Sequence, residues 1–231
     1  MDRAALIVAH GQPSAPGPAA AELAALARKV TDLAPGWRIE GATLADPGAV
    51  ERAADRLGPA LVLPFFMADG WFTRSLLPER LASATGMTYL PAFGTWPETA
   101  YLAASLVERA LLDRGWRPGD SGLILAAHGS AKSRGSARST EAIAAAIAKA
   151  LPMGRIDTGY LEEPPCLADA ARGFIGRALC LPLFIARWGH VEGDLPVALS
   201  RAGFTGETLA PLGTAPEVPV VLAAALTGFR K

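Results

Sequence analysis

Very few residues in this 231-residue sequence could carry chemistry, and the scarcity itself narrows the choices. The only cysteines, Cys166 and Cys180, form neither a C-x-x-C pair nor the even set of a disulfide framework, which leaves them as two structural thiols. No charge predominates: Lys+Arg and Asp+Glu are both 22, a formal net charge of +0. A nucleic-acid partner, which would call for a basic excess, is therefore not expected. No apolar run approaches the roughly 18–20 residues needed to span a bilayer. The start, Met1-Asp2-Arg3 and then a strand-length apolar run, lacks the length and cleavage site of a signal peptide. The expectation is a cytoplasmic protein with no membrane partner. Histidine numbers three, and all three residues fall inside recurring motifs.

Those motifs expose an internal duplication. Leu6-Ile7-Val8-Ala9-His10-Gly11 returns as Ile124-Leu125-Ala126-Ala127-His128-Gly129. Leu63-Pro64-Phe65-Phe66 returns as Leu181-Pro182-Leu183-Phe184, and Leu77-Pro78 as Leu195-Pro196, all at one offset of 118 residues. Phe93-Gly94-Thr95-Trp96-Pro97-Glu98 matches Leu212-Gly213-Thr214-Ala215-Pro216-Glu217 after one further residue of slip. A period this long rules out a solenoid, whose repeats run roughly 20–50 residues. It predicts two domains, 1–115 and 122–231, and a 51% hydrophobic sequence can give both a core. The equivalent of His190 in the first copy is Phe72, so only the second copy keeps two histidines.

Patterning predicts strands over residues 4–9, 37–44, 60–66 and 87–92, with matching ones over 122–127, 155–161, 178–185 and 207–212. Helices are expected from the 23–33 stripe to Pro35-Gly36, then over 46–57, 75–84 and 97–115. The second copy predicts a helix carrying Ile143, Ile147 and Leu151, then helices over 167–176, 191–202 and 216–229. Residues 12–18 and 130–139 read as loops, and 116–121 as the linker. Strict alternation of strand and helix implies the α/β class: two tandem parallel-sheet domains with a cleft between them.

His128 and His190 each follow the carboxyl end of an apolar strand, where open α/β sheets gather ligands. Two imidazoles facing one cleft suit a borderline divalent metal ion. A carboxylate could join them from Tyr160-Leu161-Glu162-Glu163-Pro164-Pro165, at the end of the second strand of that copy. Glu162 is read as the functional group and Glu163 as a cap on the following helix, where negative charge is favoured. The alternative assignment, with Glu163 functional, stays open. Ala45 and Asp46 stand at the corresponding places in the first copy.

Ala127-His128-Gly129-Ser130, then Tyr160-Leu161-Glu162, then Leu181-Pro182-Leu183-Phe184 with His190 and Asp194-Leu195-Pro196, resembles the class II chelatases of the CbiX/SirB type. These are sirohydrochlorin cobalto- and ferrochelatases, and the likeness covers nearly the whole chain. It implies a chelatase-like fold that inserts Co²⁺ or Fe²⁺ into a tetrapyrrole in cobalamin or siroheme biosynthesis. The metal would be a substrate, and no organic cofactor is implied. By this likeness His128, His190 and Glu162 are the expected catalytic and metal-binding residues. The expected tetrapyrrole contacts are His10, Phe72 and Trp71 from the first copy, and Ser130, Arg134, Arg187 and Trp188 from the second. Lys132 and Arg138 add positive charge to the same loop, and Phe65 and Phe66 could face the macrocycle or the core. A fused duplication of this kind is expected to act as a monomer. Two other readings fit the residues less fully: a non-catalytic tetrapyrrole or metal carrier, and a metal-dependent hydrolase, which would lack the H-E-x-x-H signature.

Overall fold

The duplication in the sequence is present in the backbone. A computed structural model describes residues 3–131 and 134–229, so Lys132 lies outside the described residues. The first copy runs β1 (Arg3–Ala9), α1 (Pro16–Leu33), β2 (Trp37–Thr43), α2 (Ala49–Leu57), β3 (Leu61–Pro64), α3 (Leu77–Arg80), β4 (Thr88–Tyr89) and α4 (Pro97–Asp113). The second runs β5 (Gly122–Ala127), α5 (Gly135–Ala150), β6 (Arg155–Tyr160), α6 (Leu167–Ala170), β7 (Ala178–Pro182), α7 (Leu195–Arg201), β8 (Glu207–Thr208) and α8 (Val218–Gly228). The strands form two parallel four-stranded sheets, ordered β2-β1-β3-β4 and β6-β5-β7-β8.

The leading strand of each copy is an interior strand of its sheet. Residues Ala5 to Ala9 and Leu123 to Ala126 have no solvent exposure, as expected for a parallel strand covered on both faces. Each Leu, Ile or Val side chain among them stabilises the fold by about 1.5–3 kcal/mol relative to exposure. Leu6, Val8, Val50, Leu57, Val62 and Leu77 build one core. Ile124, Leu167, Phe174, Cys180, Leu195 and Leu199 build the other. Burial pushes the Cys180 thiol up to about 12, which makes it an inert part of that core.

The predicted boundaries 1–115 and 122–231 mark the copies, whereas packing gathers the chain differently. One compact unit is residues 1–93 with 216–231, and the other is 94–215. Helix α4, written at the end of the first copy, packs in the second unit against α5. Helix α8, written at the end of the second copy, packs in the first unit against α1. Each buries an apolar stripe there: Leu102, Ala103, Val107 and Leu111 on α4, and Leu222, Ala223 and Leu226 on α8.

Several local expectations change. Helix α1 begins at Pro16, inside the predicted loop, because proline at a first helical turn lacks only an N–H that would be unbonded anyway. Helix α5 begins at Gly135, so Arg138 is helical. The outer strands β4 and β8 keep two residues each, and α6 keeps one short turn. The helices expected from 75 and 191 start earlier and do not start as α-helix. Both open with a five-residue π-helical turn, Phe72–Leu76 and His190–Asp194, before continuing as α3 and α7. The π turns occupy the same place in the two copies. Among the described residues, no helix is long and apolar enough to cross a membrane.

Candidate active site

Strand β5 ends at Ala127 and delivers His128 at its carboxyl end. The chain then turns at Gly129, whose φ of +78° favours glycine. A Cβ there would also sit 2.9 Å from Tyr160 Cβ and from Glu163 Cγ, so the turn presses against the end of β6. The turn's amides are held: Gly129 N–H donates to Ser136 Oγ at 3.2 Å, and Ser130 N–H donates to Glu163 Oε1 at 3.1 Å. His128 Nδ1 lies 3.0 Å from the carbonyl oxygen of Gly129. A carbonyl oxygen only accepts, so Nδ1 carries the proton and Nε2 presents its lone pair.

His190 opens the π turn of the same copy, and its Nδ1 is 2.7 Å from Asp194 Oδ2. A carboxylate likewise only accepts, which leaves the lone pair of His190 on Nε2. The two Nε2 atoms are 3.2 Å apart, with the rings T-shaped at 86°. Two lone pairs facing each other at this distance repel unless a cation lies between them. Two metal–nitrogen bonds of about 2.1 Å meeting at about 100° span about 3.2 Å, so a divalent ion fits this pair, as does one shared proton.

Glu162 Oε1 stands 3.7 Å from His128 Nε2, with 56% of its side chain exposed. Among the described residues, no group of three or more His, Cys, Asp or Glu is placed to hold a metal ion. The structure thus brings the two imidazoles together, with the Glu162 carboxylate 3.7 Å from one of them. The Glu163 expectation also changes. Helix α6 starts with no side-chain cap, and Glu163 instead holds the Ser130 amide of the histidine turn.

The first copy keeps the frame of this site with one histidine in place of two. His10 follows β1, its Nδ1 lies 2.9 Å from the Gly11 oxygen, and Gly11 has φ +79°. Phe72 occupies the place of His190, T-shaped against His10 at 4.6 Å and 75°. The amide of Ala45 donates to the His10 oxygen at 2.9 Å, and that of Glu162 donates to the His128 oxygen at 2.9 Å, so Ala45 and Glu162 are equivalent. Phe66 stacks on Phe72 at 6.1 Å, and Trp71 meets Phe72 edge-on at 5.2 Å while remaining 61% exposed. Phe65 belongs to the core, against Phe93.

The remaining expected residues are spread around the histidine pair in sequence. Arg134 is exposed and pairs with Glu141 at 3.4 Å; Arg187 and Arg138 are exposed. The Trp188 carbonyl accepts from the Val191 amide at 2.7 Å, which sets the entry to the π turn. Sequence reasoning missed Asp194 as a partner of His190. The signal was available, since a histidine and an aspartate four residues apart share a helical face.

Comparison with known proteins places this geometry. The CbiX family model matches residues 122–227, the copy that carries both histidines. The solved CbiX described as the terminal enzyme for biosynthesis of siroheme in denitrifying bacteria is 44% identical, with 99% of this chain and 100% of that chain covered and a TM-score of 0.91. SirB from Bacillus subtilis with Fe³⁺ shares the fold at 16% identity, 98% and 95% coverage and a TM-score of 0.75. DR2241 from Deinococcus radiodurans, a multi-domain protein with structural similarity to chelatases, shares it at 19% identity, 97% and 55% coverage and a TM-score of 0.71. A search of curated proteins gives no match. The motifs, the doubled parallel sheet and the end-to-end agreement at 44% identity lead to one assignment: the chain belongs to the CbiX family, the class II tetrapyrrole chelatases of the CbiX/SirB type.

Proposed function

We propose that this chain inserts Co²⁺ or Fe²⁺ into sirohydrochlorin or a related tetrapyrrole, with the metal ion as substrate and no organic cofactor. The observation that carries the reading is the pair of Nε2 atoms 3.2 Å apart on His128 and His190. Metallation delivers a dication to the macrocycle and removes two pyrrole protons. Two neutral imidazoles can hold an incoming ion without enclosing it, which leaves it free to be passed on. Once the ion has left, the same nitrogens can accept protons. Glu162, close to but not touching the pair, would offset part of the metal's charge and receive a proton. The exposed Arg134 and Arg187 suit the carboxylates of such a substrate, and Ser130 and Trp188 flank the histidines in sequence. His10, Phe72 and Trp71 provide an aromatic surface of the kind a macrocycle face would contact. As a fused duplication the protein would act as a monomer, which sedimentation equilibrium would check.

The test is anaerobic incubation with sirohydrochlorin and Co²⁺ or Fe²⁺, following the macrocycle's absorption against a no-enzyme control. His128→Ala and His190→Ala should each remove most turnover, whereas Phe72→Ala should act chiefly on tetrapyrrole affinity. Tetrapyrrole binding without metallation by the wild type would replace the enzyme with a carrier. Equal loss of turnover in Phe72→Ala and His190→Ala, with the fold intact, would move the competent site to the wrong copy and overturn the assignment.

A further inference from the structure

We infer that Asp194 is the positioning residue of the histidine pair, holding His190 in the tautomer that turns its Nε2 lone pair toward His128. The inference rests on the chelatase reading above and adds a residue to it. Asp194 lies at the start of α7, where an aspartate would ordinarily cap the helix, yet it makes no side-chain cap hydrogen bond. Its Oδ2 instead accepts from His190 Nδ1 at 2.7 Å, the length of a charge-assisted bond. An imidazole has one proton to place between two nitrogens. With that proton held on Nδ1 by Asp194, Nε2 is the acceptor, and it is Nε2 that stands 3.2 Å from His128. The Gly129 carbonyl does the same for His128 at 3.0 Å. The two rings thus have their outer nitrogens occupied by different acceptors, one fixed in the backbone and one supplied by this side chain.

The first copy supplies an independent observation. At the same offset of 118 residues, Leu76 stands where Asp194 does, at the end of the matching π turn. The backbone turn survived in both copies, so it does not need the aspartate. His10 and Gly11 survived as well. What the first copy lacks is the second imidazole and its carboxylate together, Phe72 for His190 and Leu76 for Asp194. An acid serving only the helix start would have had no reason to disappear with the histidine.

Metal-site carboxylates that orient a ligating histidine typically change affinity or activity by about 10–100-fold when removed. The test uses the full chain with Asp194→Leu, the residue the first copy already accommodates at this turn, beside Asp194→Asn. Nitrogen-15 spectra of histidine-labelled protein report the tautomer, titration with Co²⁺ alone reports the pair's affinity, and metallation kinetics report kcat and KM. The expected result for Asp194→Leu is a His190 signal no longer confined to the Nδ1–H form, Co²⁺ affinity weaker by about tenfold or more, and kcat lowered with the tetrapyrrole KM unchanged. Asp194→Asn, which keeps an acceptor oxygen, should lie between Asp194→Leu and wild type. A His190 signal and Co²⁺ affinity identical to wild type in Asp194→Leu would overturn the inference. Should the wild type bind Co²⁺ but metallate no tetrapyrrole, the tautomer and affinity changes would still stand, and the enzymatic reading alone would fail.

Discussion

Glu162 and Glu163 leave the end of β6 for different tasks, which neither residue's identity reveals. Glu162 is exposed and lies 3.7 Å from His128 Nε2, while Glu163 accepts the amide of Ser130 at 3.1 Å. Glu162→Gln should slow metallation and leave the melting temperature unchanged. Glu163→Ala should instead lower stability by about 1–3 kcal/mol, the usual cost of leaving one side of a hydrogen bond unsatisfied, because the histidine turn loses its support. Normal rates in Glu162→Gln would remove that residue from the site, and a slow, equally stable Glu163→Ala would transfer the role to its neighbour. The erased half offers the reciprocal experiment. Ala45→Glu, Phe72→His and Leu76→Asp, combined in one chain, should restore a histidine pair around His10. The expected readout is a second equivalent of bound Co²⁺ beyond that of the parent protein. Unchanged stoichiometry in a folded triple variant would mean that more than these three side chains was lost. The key residues were legible in the sequence because histidine is rare and every copy falls in a motif. The partner of Glu163 was not, because a hydrogen bond to the turn after another strand leaves no periodic trace, whereas the four-residue spacing of His190 and Asp194 was there to be read.

At the scale of elements, the strands leading to each histidine were legible from their uninterrupted apolar runs. One edge of each sheet was not. Met87–Ala92 and Glu207–Leu212 read as full strands, yet only Thr88–Tyr89 and Glu207–Thr208 pair, while the opposite edges β2 and β6 run nearly their full predicted lengths. The π turns were illegible for a different reason. Their apolar spacing resembles an α-helix until one residue too many is threaded into a turn, and such turns gather at functional sites. The second of them aims His190, so its extra residue has a measurable consequence. Deleting Gly193, whose surroundings are open, should let the turn close as ordinary α-helix. One residue corresponds to about 100° of rotation around a helix axis, enough to swing His190 away from His128. The expected outcome is loss of nearly all metallation with circular dichroism and melting close to the parent. Retained activity would show that the turn is an accident of packing.

For the whole molecule, the repeat announced two copies, but where each copy ends in sequence is not where each unit ends in space. Shared motifs such as Leu63-Pro64 and Leu181-Pro182 record duplicated code; they are silent on which core a terminal helix will choose. A gene holding one copy would make a chain whose last helix is fitted to another molecule's core, and two such chains would settle by trading helices, as domain-swapped dimers do. Fusion of the two genes would then keep the trade as a clasp. The clasp predicts how the protein breaks. With a protease site inserted after Gly119 and cut, the fragments should stay together through gel filtration and part only in denaturant, because α4 remains seated against α5 and α8 against α1. Separation in buffer would show that the peptide linker, not the traded helices, holds the halves together.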